Sequence, residues 1–308
     1  MGRFLLRRLI QSAVAILGTI TLVFFIQRLA GDPTLLMLPE GATRQDIETL
    51  RHQLGFDRPL AIQYLDYLAQ LARFDLGQSL VQRVPVLDII VARLPYTLYL
   101  AGSALLVAVG IGLPVGIVMA VRRDTKLERV LMALVLVGQS MPTFWSGILL
   151  ILLFAVTLGA MPSSGVDGLR SVVLPAIALG ALTMATYARV ARTAVLEELG
   201  RDYVSAAQAK GLLFRRVISR HILRNAATPI ITISALEIAN LLAGAVIVET
   251  VFAWPGLGQL AVQSIAARDF PIVQSIVLLS AFVSIALNLA ADILYSVVDP
   301  RIRLDGVA

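Results

Sequence analysis

Six apolar runs, each long enough to cross a lipid bilayer, constrain this chain more than any other feature. They cover about Leu9–Ile26, Thr97–Val121, Val130–Leu158, Val172–Ala188, Pro229–Val251 and Pro271–Val298. Hydrocarbon offers no partner to an unpaired backbone N–H or C=O, so such runs are helical by default. Composition agrees: 58% of the 308 residues are hydrophobic and 15% charged, with a mean hydropathy of +0.83. The expected fold class is an all-α polytopic membrane protein with six transmembrane helices. The first run lacks a small-residue cleavage site and reads as an uncleaved span.

The basic residues sort by loop. With the N-terminus inside, the inner face carries Arg3, Arg7 and Arg8, then Arg122, Arg123, Lys126 and Arg129. It also carries Arg189, Arg192, Arg201, Lys210, Arg215, Arg216, Arg220 and Arg224, and finally Arg301 and Arg303. The two short outer loops carry only Arg170 and Arg268. This asymmetry places both termini in the cytoplasm. The net charge of +6 is then a topology signal, with anionic lipid heads as its further partner, and no nucleic-acid partner is expected.

Residues 30–94 are too long and polar for a simple connection and read as an external subdomain. Thr43 is placed to cap a helix through about Leu54, and Ile62–Phe74 alternates faces at helical spacing. "GDP" at Gly31–Pro33 and "FDRP" at Phe56–Pro59 are turn signals. The subdomain is either a partner surface or a cap on the spans.

The longest polar break in the second half is Arg201–Pro229. Asp202 suits a helix N-cap, Tyr203–Lys210 makes about two turns, and Gly211 suits the stop. A helix this short is unstable alone and requires packing. Ser205, Ala206, Ala207 and Ala209 give it a small-residue surface. A second helix is expected over Phe214–Arg224, with Phe214, Val217, Ile218 and Ile222 on one face and Arg216, Arg220 and Arg224 on another. Thr228–Pro229 would open the next span. The pair either lies on the inner leaflet or docks a cytoplasmic protein.

Several chemistries are missing. No cysteine is present, so disulfides, thiolate metal sites and cysteine nucleophiles are excluded. The only lysines, Lys126 and Lys210, precede Leu127 and Gly211, so there is no Walker loop. The histidines, His52 and His221, lie outside the spans, and no metal site is expected. Intramembrane polar residues are functional suspects. Glu237 and Asn240 share a helix face, as do Asn288 and Asp292, and Gln139 and Ser140 sit in the third run. They either line a path for a zwitterionic solute or pair helices. Glu249 and Asp292, near span ends, read as structural. An ion-driven secondary transporter would show ion sites and an internal repeat, and neither stands out.

The stretch "DYVSAAQAKGL…LRNAATP" resembles the EAA loop of bacterial ABC importer permeases, Glu-Ala-Ala-x-x-x-Gly. Here it reads Ser205-Ala206-Ala207-Gln208-Ala209-Lys210-Gly211. The glutamate is absent, and Pro229 stands 18 residues after Gly211, as in the dipeptide/oligopeptide/nickel branch. "LGFDRPL", "FDLGQSL", "RLPYTL", "QSMPTFW", "VETVFAWPGLGQL", "ARDFPIV" and "DILYSVVDPR" resemble the first permease of such importers, over nearly the whole chain. The resemblance implies a type I importer core over about residues 95–298. Asp202, Tyr203, Ser205, Ala206, Ala207, Lys210, Gly211 and Leu212 would form a coupling helix for cytoplasmic ATPases. It also implies a sibling permease, two P-loop ATPase subunits that bind ATP and magnesium, and an external substrate-binding protein. The cargo would be a di- or oligopeptide, with nickel or a nickel chelate as the alternative.

Overall fold

The computed structural model describes residues 2–29, 43–53 and 55–298. The GDP turn, Leu54 and the tail after Val298 lie outside them. The elements are helical: α1 (Gly2–Leu29), α2 (Arg44–Gln53), α3 (Leu60–Ala72), α4 (Val86–Val121), α5 (Lys126–Ser140) and α6 (Thr143–Leu150). They continue with α7 (Val173–Leu199), α8 (Asp202–Ala209), α9 (Phe214–Val217), α10 (Leu223–Val251), α11 (Leu257–Ala266) and α12 (Phe270–Val298). Four helices are long and apolar enough to cross a membrane, rising to six if two bent pairs each count as one span.

Small residues set the centre of the bundle. α4 carries Ala104, Ala108, Gly112, Gly116 and Ala120 at four-residue intervals, all buried. That stripe lies against α7. A Cβ on Gly112 would sit 2.6 Å from Met184 O, and one on Gly116 would sit 2.4 Å from Ala188 O. Gly180 on α7 answers with an equally close approach to Ala104 O, 2.8 Å from its own would-be Cβ. Lipid tails are as apolar as leucine, so helices in a membrane associate through such close packing rather than by hydrophobic exclusion.

The third apolar run is not one straight helix. α5 and the segment Thr143–Thr157 meet at 108°. Met141 and Pro142 are extended there, as expected for proline and the residue before it. α6 then widens into a π-helical stretch over Ile151–Thr157. The start of the fifth span also differs from expectation. Phe214–Arg224 does not end before a new helix. It runs through a π-helical turn, Ile218–Ile222, directly into α10, with Pro229 inside that helix. The bend in this stretch comes later, 40° between Phe214–Ser234 and Leu236–Val251.

Two buried carboxylates fasten the other end of the bundle. Glu249, fully buried, accepts from Gly258 N–H at 2.6 Å and Gln259 N–H at 3.0 Å. Thr97 donates to Glu249 at 2.7 Å and accepts Leu257 N–H at 2.8 Å. The first three amides of α11 are thus satisfied by side chains of α10 and α4. Gly256 is required, because a Cβ there would lie 2.1 Å from Glu249 Oε1. Asp269, just before α12, accepts from Ser79 Oγ and from Leu80 N–H at 3.1 Å, tying the hairpin around residues 77–86 to the α11–α12 corner. The structural reading of Glu249 agrees with this geometry, whereas the side chain of Asp292 lies outside what is described.

α3 rests on α1 through Phe24, Tyr64 and Tyr67 and a Tyr64–Thr21 hydrogen bond of 2.7 Å. Thr43 and Asp46 cap α2 reciprocally. The Thr43 hydroxyl and amide hold the Asp46 carboxyl below its usual value.

Candidate functional site: a short helix held between two long ones

α8 leaves the bundle between the two helices that zip most closely to each other in polar contacts, α7 and α10. Asp202 is its first residue rather than its cap. Arg201, extended, holds the N-cap position without a side-chain bond. Asp202 instead places a negative charge in the first turn, where the helix dipole favours it. At the far end Gly211, with φ +79°, closes the helix. Its N–H reaches Gln208 O at 2.9 Å, and Leu212 N–H reaches Ala207 O at 3.2 Å. Those paired bonds form a Schellman stop, which needs a left-handed residue at that position.

One face of α8 is sunk. Val204 joins Ala120 of α4, Ala194 and Val195 of α7, and Val217, Ile222 and Ala226 in a buried cluster, with Ala207 and Tyr203 against it. The opposite face is open: Ser205, Ala206, Ala209, Lys210 and Gly211 are exposed. Leu213, 78% exposed, extends this face with an apolar shoulder. An exposed leucine beside a small-residue helix was not singled out from the sequence. The adjacent Leu-Leu-Phe at 212–214, in a polar loop, was the available signal.

A polar knot fixes the orientation of α8. Tyr203 Oη donates to Glu198 Oε2 at 2.6 Å. Asn225 Nδ2 donates to the same oxygen at 3.1 Å. One carboxylate on α7 therefore holds both α8 and the start of α10. Burial raises the Tyr203 pKa first, and the Glu198 carboxylate adds to it.

The knot is the last rung of a ladder between α7 and α10. Tyr187 Oη donates to Ser234 Oγ at 2.8 Å, and Thr183 Oγ1 donates to Glu237 Oε2 at 2.9 Å. Rungs 183–237, 187–234 and 198–225 keep nearly constant register, as antiparallel helices require. On the other side of α7, Arg192 Nε donates to Glu128 Oε1 at 2.9 Å. Glu128 also accepts the Asp124 N–H at 2.5 Å, so α5 is tied to α7 beside the knot.

The polar intramembrane residues do not form one cluster. Glu237 is buried against Thr183, while Asn240, one turn on, is exposed, as are Asn288 and Ser140; Gln139 is half-buried. Among the described residues no group of acids and histidines is arranged to hold a metal.

The family model for the inner membrane component of binding-protein-dependent transport systems matches residues 112–304, and that for the N-terminal part of the membrane component matches residues 1–101. The chain belongs to this family of multi-pass inner-membrane permease subunits. It is 38% identical to the dipeptide transport system permease protein DppB of Escherichia coli K12, over 98% of this chain and 99% of that one. It is 40% identical to the di/tripeptide transport system permease protein DppB of Pseudomonas aeruginosa, over 97% and 98%. The inward-facing MetNI methionine ABC transporter shares the fold, with a TM-score of 0.60 and 21% identity over 69% of this chain and 97% of that one.

Proposed function

We propose that this chain forms the translocation path of an ATP-driven importer of di- or oligopeptides and couples it to cytoplasmic ATPases through α8. The observation that supports this most is the Glu198 carboxylate that binds Tyr203 and Asn225 together. A helix tied to both flanking spans by one shared carboxylate moves only if they move. Ser205, Ala206, Ala207, Lys210, Gly211 and Leu212, with Leu213, form the surface that seats in an ATPase cleft; Asp202 and Tyr203 set its angle. Closure of the ATPase pair pushes α8, and the α7–α10 ladder carries the displacement into the membrane. Asn240, Asn288, Gln139 and Ser140 are the polar groups offered to the path, and Glu237 supports it from behind through Thr183.

The partners of this reading are a sibling permease, two P-loop ATPase subunits that bind ATP and magnesium, and an external substrate-binding protein. α8 then lies in the cytoplasm, with both termini on that side. Purification of the tagged chain from its native membrane in mild detergent tests this. Recovery of ATPases and a second permease is expected. An intact, monodisperse chain recovered alone would sink the coupling role.

A further inference from the structure

α7 presents three faces. One meets α4 and α5, a second carries the ladder to α10, and the third is open. Thr186, Arg189, Val190, Thr193 and Glu197 fall on that third face at i, i+3, i+4, i+7 and i+11. With Pro229 of α10 they line a cavity of about 320 Å³. Arg189 is part-exposed along the hollow, and its Nε, which has no solvent access, has no hydrogen-bond partner. Neither Arg189 nor Glu197 makes a side-chain hydrogen bond or ion pair among the described residues.

Arg189 and Glu197 lie toward the α8 end of α7, where charged side chains face water or protein rather than hydrocarbon. Arg189 and Glu197 line the hollow without an intramolecular side-chain partner among the described residues, so a charged ligand can engage both. The hollow is concave and at the small end of ligand pockets, which suits a small molecule better than a flat helix face. Its charges are one cation and one anion on the same stripe, eight residues or about 12 Å apart along the axis. A zwitterion matches that pattern. A free dipeptide or tripeptide extends over at most about 7–11 Å between its ends, and flexible Arg and Glu side chains close the difference.

We propose that this hollow is a transient subsite for the charged ends of a short peptide, with the carboxylate on Arg189 and the amine toward Glu197. The inference rests on the importer reading given above. Arg189 lies farther from α8 along α7 than Glu197, so the peptide passes amino end first toward the α8 side. Thr186 and Thr193 supply hydroxyls along its backbone. The site is a weak stop on the path, since a transporter must release what it holds.

The experiment uses the complete reconstituted importer in liposomes, radiolabelled alanyl-alanine as cargo, and alanyl-photoleucine as a crosslinking probe. In Arg189→Gln the maximal uptake rate falls about tenfold, as loss of a charge-assisted bidentate contact predicts. Its half-saturating concentration is unchanged, because the external binding protein sets it. Stimulated ATP hydrolysis continues, so ATP consumed per peptide rises about tenfold; a purely structural role would lower both rates together. Arg189→Lys recovers part of the loss, and Glu197→Gln shows a smaller defect of the same kind. In the wild type the probe labels α7 during turnover, which decides the matter even if Arg189→Gln fails to assemble. Wild-type-like coupling in both Gln variants overturns the site. So does a disulfide formed under a thiol oxidant between Thr193→Cys and a cysteine introduced into the sibling permease, or a phospholipid recovered from the hollow that dipeptide does not displace. A wild-type assembly that takes up no dipeptide removes the proposed cargo and this site together, whereas normal uptake untouched by the variants removes the site alone.

Discussion

The Tyr203 hydroxyl lies 2.6 Å from Glu198 Oε2, so the helix that leaves the bundle is bonded to the last turn of the helix that led out of it. The same oxygen receives Asn225. Three elements therefore share one acceptor, and the rigidity of the coupling loop depends on it.

Tyr203→Phe keeps the ring against the Val204 cluster and removes only the donor. A hydrogen bond to a charged group contributes about 1.5–3 kcal/mol. The variant is expected to assemble with its ATPases and hydrolyse ATP, while transport falls about tenfold. Parallel uptake and ATPase measurements in proteoliposomes check it; equal losses in both would argue for a folding defect.

Gly211→Pro cannot adopt φ +79° and has no N–H for Gln208 O. It should abolish transport while leaving the chain in the membrane at normal abundance, as membrane blots and uptake assays would show. Gly211→Ala is milder, because a left-handed alanine costs roughly 1–2 kcal/mol.

Gly116→Leu forces a side chain into Ala188 O and the Ala191 methyl. Even Gly116→Ala costs about 1–3 kcal/mol by overpacking. Gly102, with open space around its Cβ position, tolerates alanine. Thermal stability in detergent should separate the two, with Gly116→Ala melting several degrees lower.

Glu249→Ala leaves the Gly258 and Gln259 amides buried without acceptors. Each unsatisfied group costs about 1–3 kcal/mol. At roughly 2–4 °C per kcal/mol for a chain of this order of size, the melting point should fall by at least several degrees. A Glu249→Ala protein as stable as the parent would refute the capping role.

The Asp46 carboxyl is held below its unfolded value by Thr43, so its contribution to α2 is present above the unfolded pKa. That contribution is lost as pH falls through the folded one. Amide exchange in Arg44–Leu50, corrected for intrinsic rates, should quicken on acidification below about pH 4. Thr43→Ala should show the fast rate already at neutral pH.

Much of this was legible in residue order. Lipid imposes a length and an apolar composition on every span, so hydropathy located the long helices. Gly211 marked the end of α8 because no other residue takes a left-handed stop so cheaply. The arginines of Phe214–Arg224 suggested an independent surface helix. Its apolar face is instead buried among α4, α7 and α8, and the chain continues through a π turn into α10. Periodicity reports which residues share a face, not where a helix ends, and here packing overrode the Thr228–Pro229 start signal. Met141–Pro142 carried a local break signal, but the 108° turn depends on what α6 packs against.

The sequence alone therefore determined that this is a helical membrane protein with a short capped helix in a polar loop, because hydrophobic length, charge asymmetry and glycine stops act locally along the chain. Only the tertiary structure decided what each buried polar residue bonds to. Glu249 caps α11 and pairs with Thr97, Glu237 forms a rung to Thr183, and Arg189 lines a hollow. The Thr183 and Thr97 partners lie 54 and 152 residues away, and pairing across that distance is set by helix packing that no local pattern encodes.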